Sequence, residues 1–186
     1  MKVLTETKRL IIRELVPSDL DGMFALDSNP EVHRFIGNNP VKSELHSILS
    51  IEDKITQYKD NGVGRWALID KENNNFIGWA GLKFVKDETN HISNYYDLGY
   101  RLNQKYWGKG FATEAASAIL NHALFELEIE KIYAMAECDN SASHKVLEKI
   151  GMKFIEVIEF EGTKYKWYEI ERDKSLQLVL KPNQYK

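Results

Sequence analysis

WGKGFATEAASAILNHALFEL, running from Trp107 to Leu127, joins a glycine-flanked turn directly to a helical pattern. Ala112, Ala115, Ala116, Ile119, Leu120, Ala123, Leu124 and Leu127 recur at i, i+3, i+4, i+7 spacing, which predicts one stripe facing a core. Just upstream, NYYDLGYRL from Asn94 to Leu102 is rich in aromatic and branched residues and alternates as an extended strand does. A strand, a glycine turn and a helix in that order bring together unpartnered first-turn N–H groups and the positive end of the helix dipole. That combination suits a phosphate anion. Gly108 and Gly110 let the backbone come close to it.

Two nucleotide motifs compete for this turn. The Walker pattern needs four residues between its glycines and then Lys-Ser/Thr, and neither follows here. The dinucleotide pattern G-x-G-x-x-G/A begins at Gly108-Lys109-Gly110, but its third small position falls on Thr113, which crowds the helix against its strand. A nicotinamide-dependent oxidoreductase would also need a ribose-binding acid after the next strand.

That next strand, KIYAMAEC from Lys131 to Cys138, leads into DNSASHKVLEKIGMKF from Asp139 to Phe154. Taken with the glycine turn, it resembles the GNAT superfamily of acyl-CoA N-acyltransferases. Their diphosphate loop reads Q/R-x-x-G-x-G/A, here Trp107 to Ala112, and their next helix opens with Asn-x-x-Ala/Ser, here Asn140 to Ser143. The wording W-G-K-G-F-A-T-E-A followed by N-x-x-S is most similar to the branch of ribosomal-protein N-terminal acetyltransferases. Trp107 stands where the superfamily carries Gln or Arg. ETKRLIIREL, Glu6 to Leu15, and the PSDLDGMFAL and NPEVHRFIG segments after it resemble that branch's opening, so the likeness spans roughly residues 5–171.

Composition is compatible with this. A chain of 186 residues predicts one domain over 1–186 that buries about two thirds of its unfolded surface. The single Cys138 excludes an internal disulfide framework, and no stretch reads as an apolar signal core or a bilayer span, so a cytoplasmic location is expected. The net charge of −3 gives no basic footprint for nucleic acid and mildly favours cationic amines. The five histidines lack paired metal-ligand spacing, so no metal is expected.

Along the chain, Arg9 to Leu15 predicts a first strand, Ser18 with Asp21 a capping box, Asn29-Pro30 a second helix start, and Ser43 to Tyr58 a longer helix ended by Gly62 and Gly64. Arg65 to Asp70 and Phe76 to Val85 predict a hairpin across KENNN, and Lys86 to Ser93 a polar loop. Gly151 ends the second glycine-flanked helix, and a last hairpin turns near Glu161-Gly162-Thr163. This order is α+β, and the resemblance implies a mixed, mostly antiparallel sheet of about seven strands flanked by helices, with a splayed strand pair holding acetyl-CoA. The apolar, aromatic final hairpin suggests a homodimer.

The resemblance also assigns roles. The backbone of Tyr100 and Leu102 would pair with the pantetheine amides. Trp107, Gly108, Lys109, Gly110, Phe111, Ala112 and Thr113 would hold the diphosphate, with Asn140 and Ser143 adding contacts. Lys109 read alone is equally a solvated lysine, and Asn140 a helix N-cap. Many members place a tyrosine seven positions after the Asn to protonate the departing thiolate; here that position is Leu147. Ser143 inherits the acid role in the implied branch, and a locally bonded first-turn serine is its rival.

Asp97 is the candidate proton acceptor, and a solvated strand-edge carboxylate is its rival. The demand on a base depends on the amine. A lysine-type amine of pKa about 10.4 is roughly 0.1% neutral near pH 7.4, whereas an α-amine near 7.7 is roughly a third neutral, a difference of about 3.7 kcal/mol. The aromatic residues Tyr95, Tyr96, Tyr100, Tyr106, Trp107, Tyr165, Trp167 and Tyr168 either line an acceptor pocket or pack strands. The expected activity is direct acetyl transfer from acetyl-CoA to a primary amine, either a protein N-terminal α-amine or a small amine. The alternative is a non-catalytic acyl-CoA-binding module.

Overall fold

The computed structural model describes residues 1–173; residues 174–186 of the expected domain lie outside the described residues. Two short strands, β1 (Val3–Glu6) and β2 (Leu10–Arg13), form a hairpin whose turn is tied by Thr7, its N–H donating to Leu10 O and its hydroxyl oxygen accepting from Leu10 N–H. The single strand predicted over 9–15 is therefore β2 alone, preceded by β1. The sheet has eight strands among the described residues rather than about seven.

Three helices follow: α1 (Leu20–Asp27), α2 (Pro30–His33) and α3 (Glu44–Asn61). Ser18 and Asp21 do not form the predicted capping box. Asp19 does the bonding, its carboxylate accepting from Val16 N–H at 2.9 Å and from both outer nitrogens of Arg13 at 2.7 Å, because a buried acid needs the arginine. Asn29 caps α2 by accepting from Glu31 N–H, and Gly62, at φ 69°, ends α3.

Next come β3 (Arg65–Asp70), β4 (Phe76–Val85), β5 (Tyr95–Leu102), α4 (Phe111–Asn121), β6 (Lys131–Glu137), α5 (Ser141–Lys149), β7 (Lys153–Phe160) and β8 (Thr163–Glu171). The hairpins and the long loop fall where the sequence places them. After α4 the helix widens into a π turn over His122–Glu126, which rotates Leu127 off the buried stripe and leaves it 42% exposed.

The sheet order is β1-β2-β3-β4-β5-β6-β8-β7, and every neighbour is antiparallel except β5 with β6. Strand alternation sorts the residues onto two faces. Leu68, Ala80, Leu98, Ile132 and Tyr168 pack with Ala115, Ala116, Ile119 and Leu120 of α4 and Leu147 of α5 in the main core. Ala67, Ile69 and Trp79 face α1, α2 and α3 on the other side, and further along that side Tyr95, Tyr133, Trp167 and Ile158 form a separate aromatic cluster.

Candidate active site

β5 and β6 touch only at Tyr96–Ile132 and Asp97–Tyr133; from there to their C-terminal ends they diverge. β5 stays paired with β4, and β6 with β8, so a wedge opens between them. Asn103 N–H donates to Ile77 O, and the alternation of an antiparallel ladder then turns the backbone polar groups of residues 98, 100 and 102 toward this wedge. Polar backbone facing a gap needs a partner, and a linear chain of amides is one. Leu102 has a partial exception: its carbonyl already accepts the Trp107 indole N–H at 2.7 Å, leaving only its N–H.

At the wide end of the wedge stands the glycine loop. Gly108 and Gly110 have φ of 71° and 81°, and a Cβ at Gly108 would meet nothing within 4 Å, so the approach to the first turn of α4 is open. Phe111 is buried and leaves only its backbone to a ligand. The loop is clamped from a distant strand. Glu114, in the first turn of α4, accepts from the Thr7 hydroxyl, Arg9 N–H and Arg9 Nε at 2.6, 2.9 and 2.6 Å. Arg9 Nη1 in turn donates to Lys109 O at 2.8 Å, and its guanidinium lies 4.1 Å over the Phe111 ring. Burial alone would raise the Glu114 carboxyl; the hydrogen bonds from Thr7 and Arg9 win and hold it below its ordinary range. No motif in the sequence linked Arg9 to the loop, since the contact is between strand and helix.

On the α5 side of the wedge, Asn140 caps α5, its Oδ1 accepting from Ser143 N–H at 3.1 Å. Ser143 Oγ lies 2.9 Å from the Tyr100 hydroxyl, whose single proton goes either to that oxygen or to Ser143 O at 3.1 Å. Burial pushes the Tyr100 phenol up to about 12, partly offset by the Ser143 hydrogen bond. Leu147, at the position where the family resemblance implies an acid tyrosine, is buried in the core. A different tyrosine thus meets Ser143, from a strand rather than from the helix.

On the opposite face, Asp97 is neither solvated nor at a sheet edge: its Oδ2 pairs with Arg65 Nη2 at 2.5 Å in a largely buried setting. Burial pushes its carboxyl up, and Arg65 pulls it back only in part. Gly99 makes this pair possible, because a Cβ there would meet the Arg65 guanidinium at 2.7 Å. Beyond it, Arg101 pairs with Asp27 at 2.8 Å, and Arg65, Arg101 and Lys54 all stand within 5.5 Å of the Trp79 ring centre. Burial lowers Lys54 to about 8 against the pull of Asp27.

The aromatic residues divide. Tyr95, Tyr133 and Trp167 pack edge-on or tilted against one another, Tyr106 packs on Phe111, and Tyr168 binds His144, so these five serve packing. Among the described residues no group of three or more His, Cys, Asp and Glu could hold a metal ion, and no helix is long and apolar enough to cross a membrane.

A mixed sheet with one splayed parallel pair, a glycine loop at the mouth of the wedge and a helix start on either side of it define an acyl-CoA-dependent transferase. Residues 9–153 match the model of the acetyltransferase (GNAT) domain, and the chain belongs to that family of N-acetyltransferases, whose members use acetyl-CoA. It is similar to the uncharacterized N-acetyltransferase YoaA of Bacillus subtilis, 28% identical over 150 residues, 81% of this chain and 82% of that one. Two of the solved structures that share its fold differ in their acceptors. One is the ribosomal-protein-S5-alanine acetyltransferase of Vibrio fischeri, with a TM-score of 0.74 at 16% identity, covering 91% of this chain and 97% of that one. The other is the spermidine N-acetyltransferase of Vibrio cholerae in complex with CoA and spermine, with a TM-score of 0.71 at 23% identity, covering 91% and 99%. One architecture thus serves acceptors as different as a protein and a polyamine, and fold alone does not choose between them.

Proposed function

We propose that this N-acetyltransferase moves the acetyl group directly from acetyl-CoA to the α-amine of its acceptor, through Asp97 on one face of the sheet and Ser143 with Tyr100 on the other. The observation that carries this is their placement on opposite sides of one wedge, which opens immediately after Asp97. The backbone of residues 98, 100 and 102 fits the pantetheine amides, and residues 108–113 with Asn140 fit the diphosphate. Bound there, acetyl-CoA supplies an activated acyl carbon.

The acceptor nitrogen attacks that carbon from the Asp97 side, and the carbon–sulfur bond breaks on the Ser143 side. The proton leaving the amine passes to Asp97, directly or through one water, and the departing sulfur takes a hydrogen bond from Ser143 Oγ, or a proton through it that the Tyr100 phenol replaces as it donates to Ser143 Oγ. A carboxylate held by an arginine is a modest base, and a modest base suits an amine that is already substantially neutral. An α-amine next to an amide carbonyl is such a group, as at a protein N-terminus, the acceptor of the ribosomal-protein acetyltransferases that share the fold.

Release of CoA thiol across N-terminal peptides, amino acids, polyamines and lysine-type amines tests the proposal. α-Amines should be the best substrates, and below the limb set by the amine's own pKa of about 7.7, kcat/KM should show a second limb above the ordinary aspartate value of about 3.9 that is lost in Asp97→Asn. Tight acetyl-CoA binding with no release on any amine would favour the binding module instead.

A further inference from the structure

α3 buries Ile51 and packs Ile55 against the core, yet it also turns polar residues inward and leaves apolar ones outside. Its outer side carries Leu45, Ile48 and Leu49, exposed at 60, 37 and 54%, while Ser47, Ser50 and Lys54 follow at helical spacing on the side that turns inward. Ser47 is fully buried, and its hydroxyl meets no partner among the described residues. Lys54 Nζ donates to Ser50 Oγ at 2.7 Å and forms no ion pair among the described residues.

Opposite this stripe, Trp79 is 8% exposed, and its indole N–H is also without an acceptor, as is the Nε–H of Arg101. Both carboxylates of the cluster are already committed, Asp97 to Arg65 and Asp27 to Arg101, so Lys54 is the unmatched charge. Asp53, the next acid on α3, is exposed and accepts from Gln57. An interior stocked with unused donors and one unmatched cation lacks an acceptor-rich, negatively charged group.

The geometry points to a subsite, between α3 and the sheet at Trp79, for a carboxylate carried by the acceptor itself, so that the substrate is an α-amine with an acid group in reach of Lys54, Trp79 and Arg101. This inference rests on the α-amine reaction proposed above and deepens it. The amine end lies at Asp97, and the Arg65 guanidinium links the two ends by pairing with Asp97 and standing 5.4 Å from the Trp79 ring centre. A polyamine would instead meet three cations around one ring, with no free carboxylate to receive it.

The acid group has two sources, a free amino acid or a peptide whose first residues are acidic. The test compares kcat/KM, each referred to the concentration of neutral amine, for amino acids with that for their carboxamides, and for peptides beginning Ala-Glu or Glu with that for peptides beginning Ala-Gln or Gln, in wild type, Lys54→Met and Lys54→Arg, with melting midpoints recorded to show that each variant is folded. The acid member of the favoured series should exceed its neutral partner by about 10–100-fold in wild type. That ratio should fall to within about threefold in Lys54→Met and largely persist in Lys54→Arg. Whichever series shows the preference identifies the source. Transfer with equal rates on acid and amide, or a preference unchanged in folded Lys54→Met, overturns the subsite. No transfer to any amine would instead count against the underlying reaction.

Discussion

Glu114→Ala should loosen the cofactor loop without touching the reacting atoms. The carboxylate receives three hydrogen bonds, from the Thr7 hydroxyl, the Arg9 amide and Arg9 Nε. Bonds to a charged group are worth about 1.5–3 kcal/mol each where buried, but the Arg9 side chain is 39% exposed, and solvent screening cuts its share to below about 1 kcal/mol. The sum is roughly 3 kcal/mol, which for a chain of this size lowers the melting midpoint by about 6–12 °C. Arg9, no longer held, releases the Lys109 carbonyl, and the backbone amides proposed to hold the diphosphate lose their fixed geometry. The KM for acetyl-CoA should then rise by about tenfold with kcat changed far less, because the loop binds both ground and transition states. Initial rates of thiol release at varied acetyl-CoA, with melts in its presence and absence, read both quantities. A midpoint within about 1 °C of wild type with an unchanged KM would refute the clamp, and so would a kcat loss as large as the KM change.

The same carboxylate predicts a pH dependence. Glu114 is held below its unfolded value, so the stability it contributes is present above the ordinary glutamate pKa of about 4.3 and is lost as pH falls through the lower folded value; melts of wild type and Glu114→Gln should converge at acid pH and separate above it. Ser143→Ala should cut kcat by about 10–100-fold while leaving acetyl-CoA affinity within about twofold; Tyr100→Phe should show a smaller loss of the same kind, and an unchanged kcat in both would remove the acid role. Asn140→Ala removes the α5 cap and should cost about 1 kcal/mol, seen as a lower denaturation midpoint. Leu147→Ala should cost about 2–5 kcal/mol in the same measurement, as a core residue does and a solvent-facing catalytic position does not.

The local elements were legible because their signals are local. The α4 stripe, the paired strands around KENNN, the Asn140 cap and the glycine loop each depend on neighbours a few residues apart, and the structure places them where the sequence does. The failures have one cause. Asp19 rather than Ser18 bonds the chain before α1 because Arg13 reaches it, and Asp97 is buried because Arg65 crosses β4 and lies over Gly99 to meet it. α3 carries Lys54 and Ser47 inward beside the buried Ile51, and Lys54 meets Trp79 on another strand, a contact no local pattern shows.

By itself, then, the sequence determined the order of strands and helices, the glycine turn and the family motif, all set by backbone periodicity and short-range hydrogen bonding. Only the tertiary structure decided that Tyr100 meets Ser143, that Arg9 and Glu114 clamp the loop, and that three cations gather around Trp79. Those contacts join residues up to about a hundred positions apart, and the energy of a hydrogen bond or buried charge depends on which groups the fold brings within bonding distance, which no local pattern encodes.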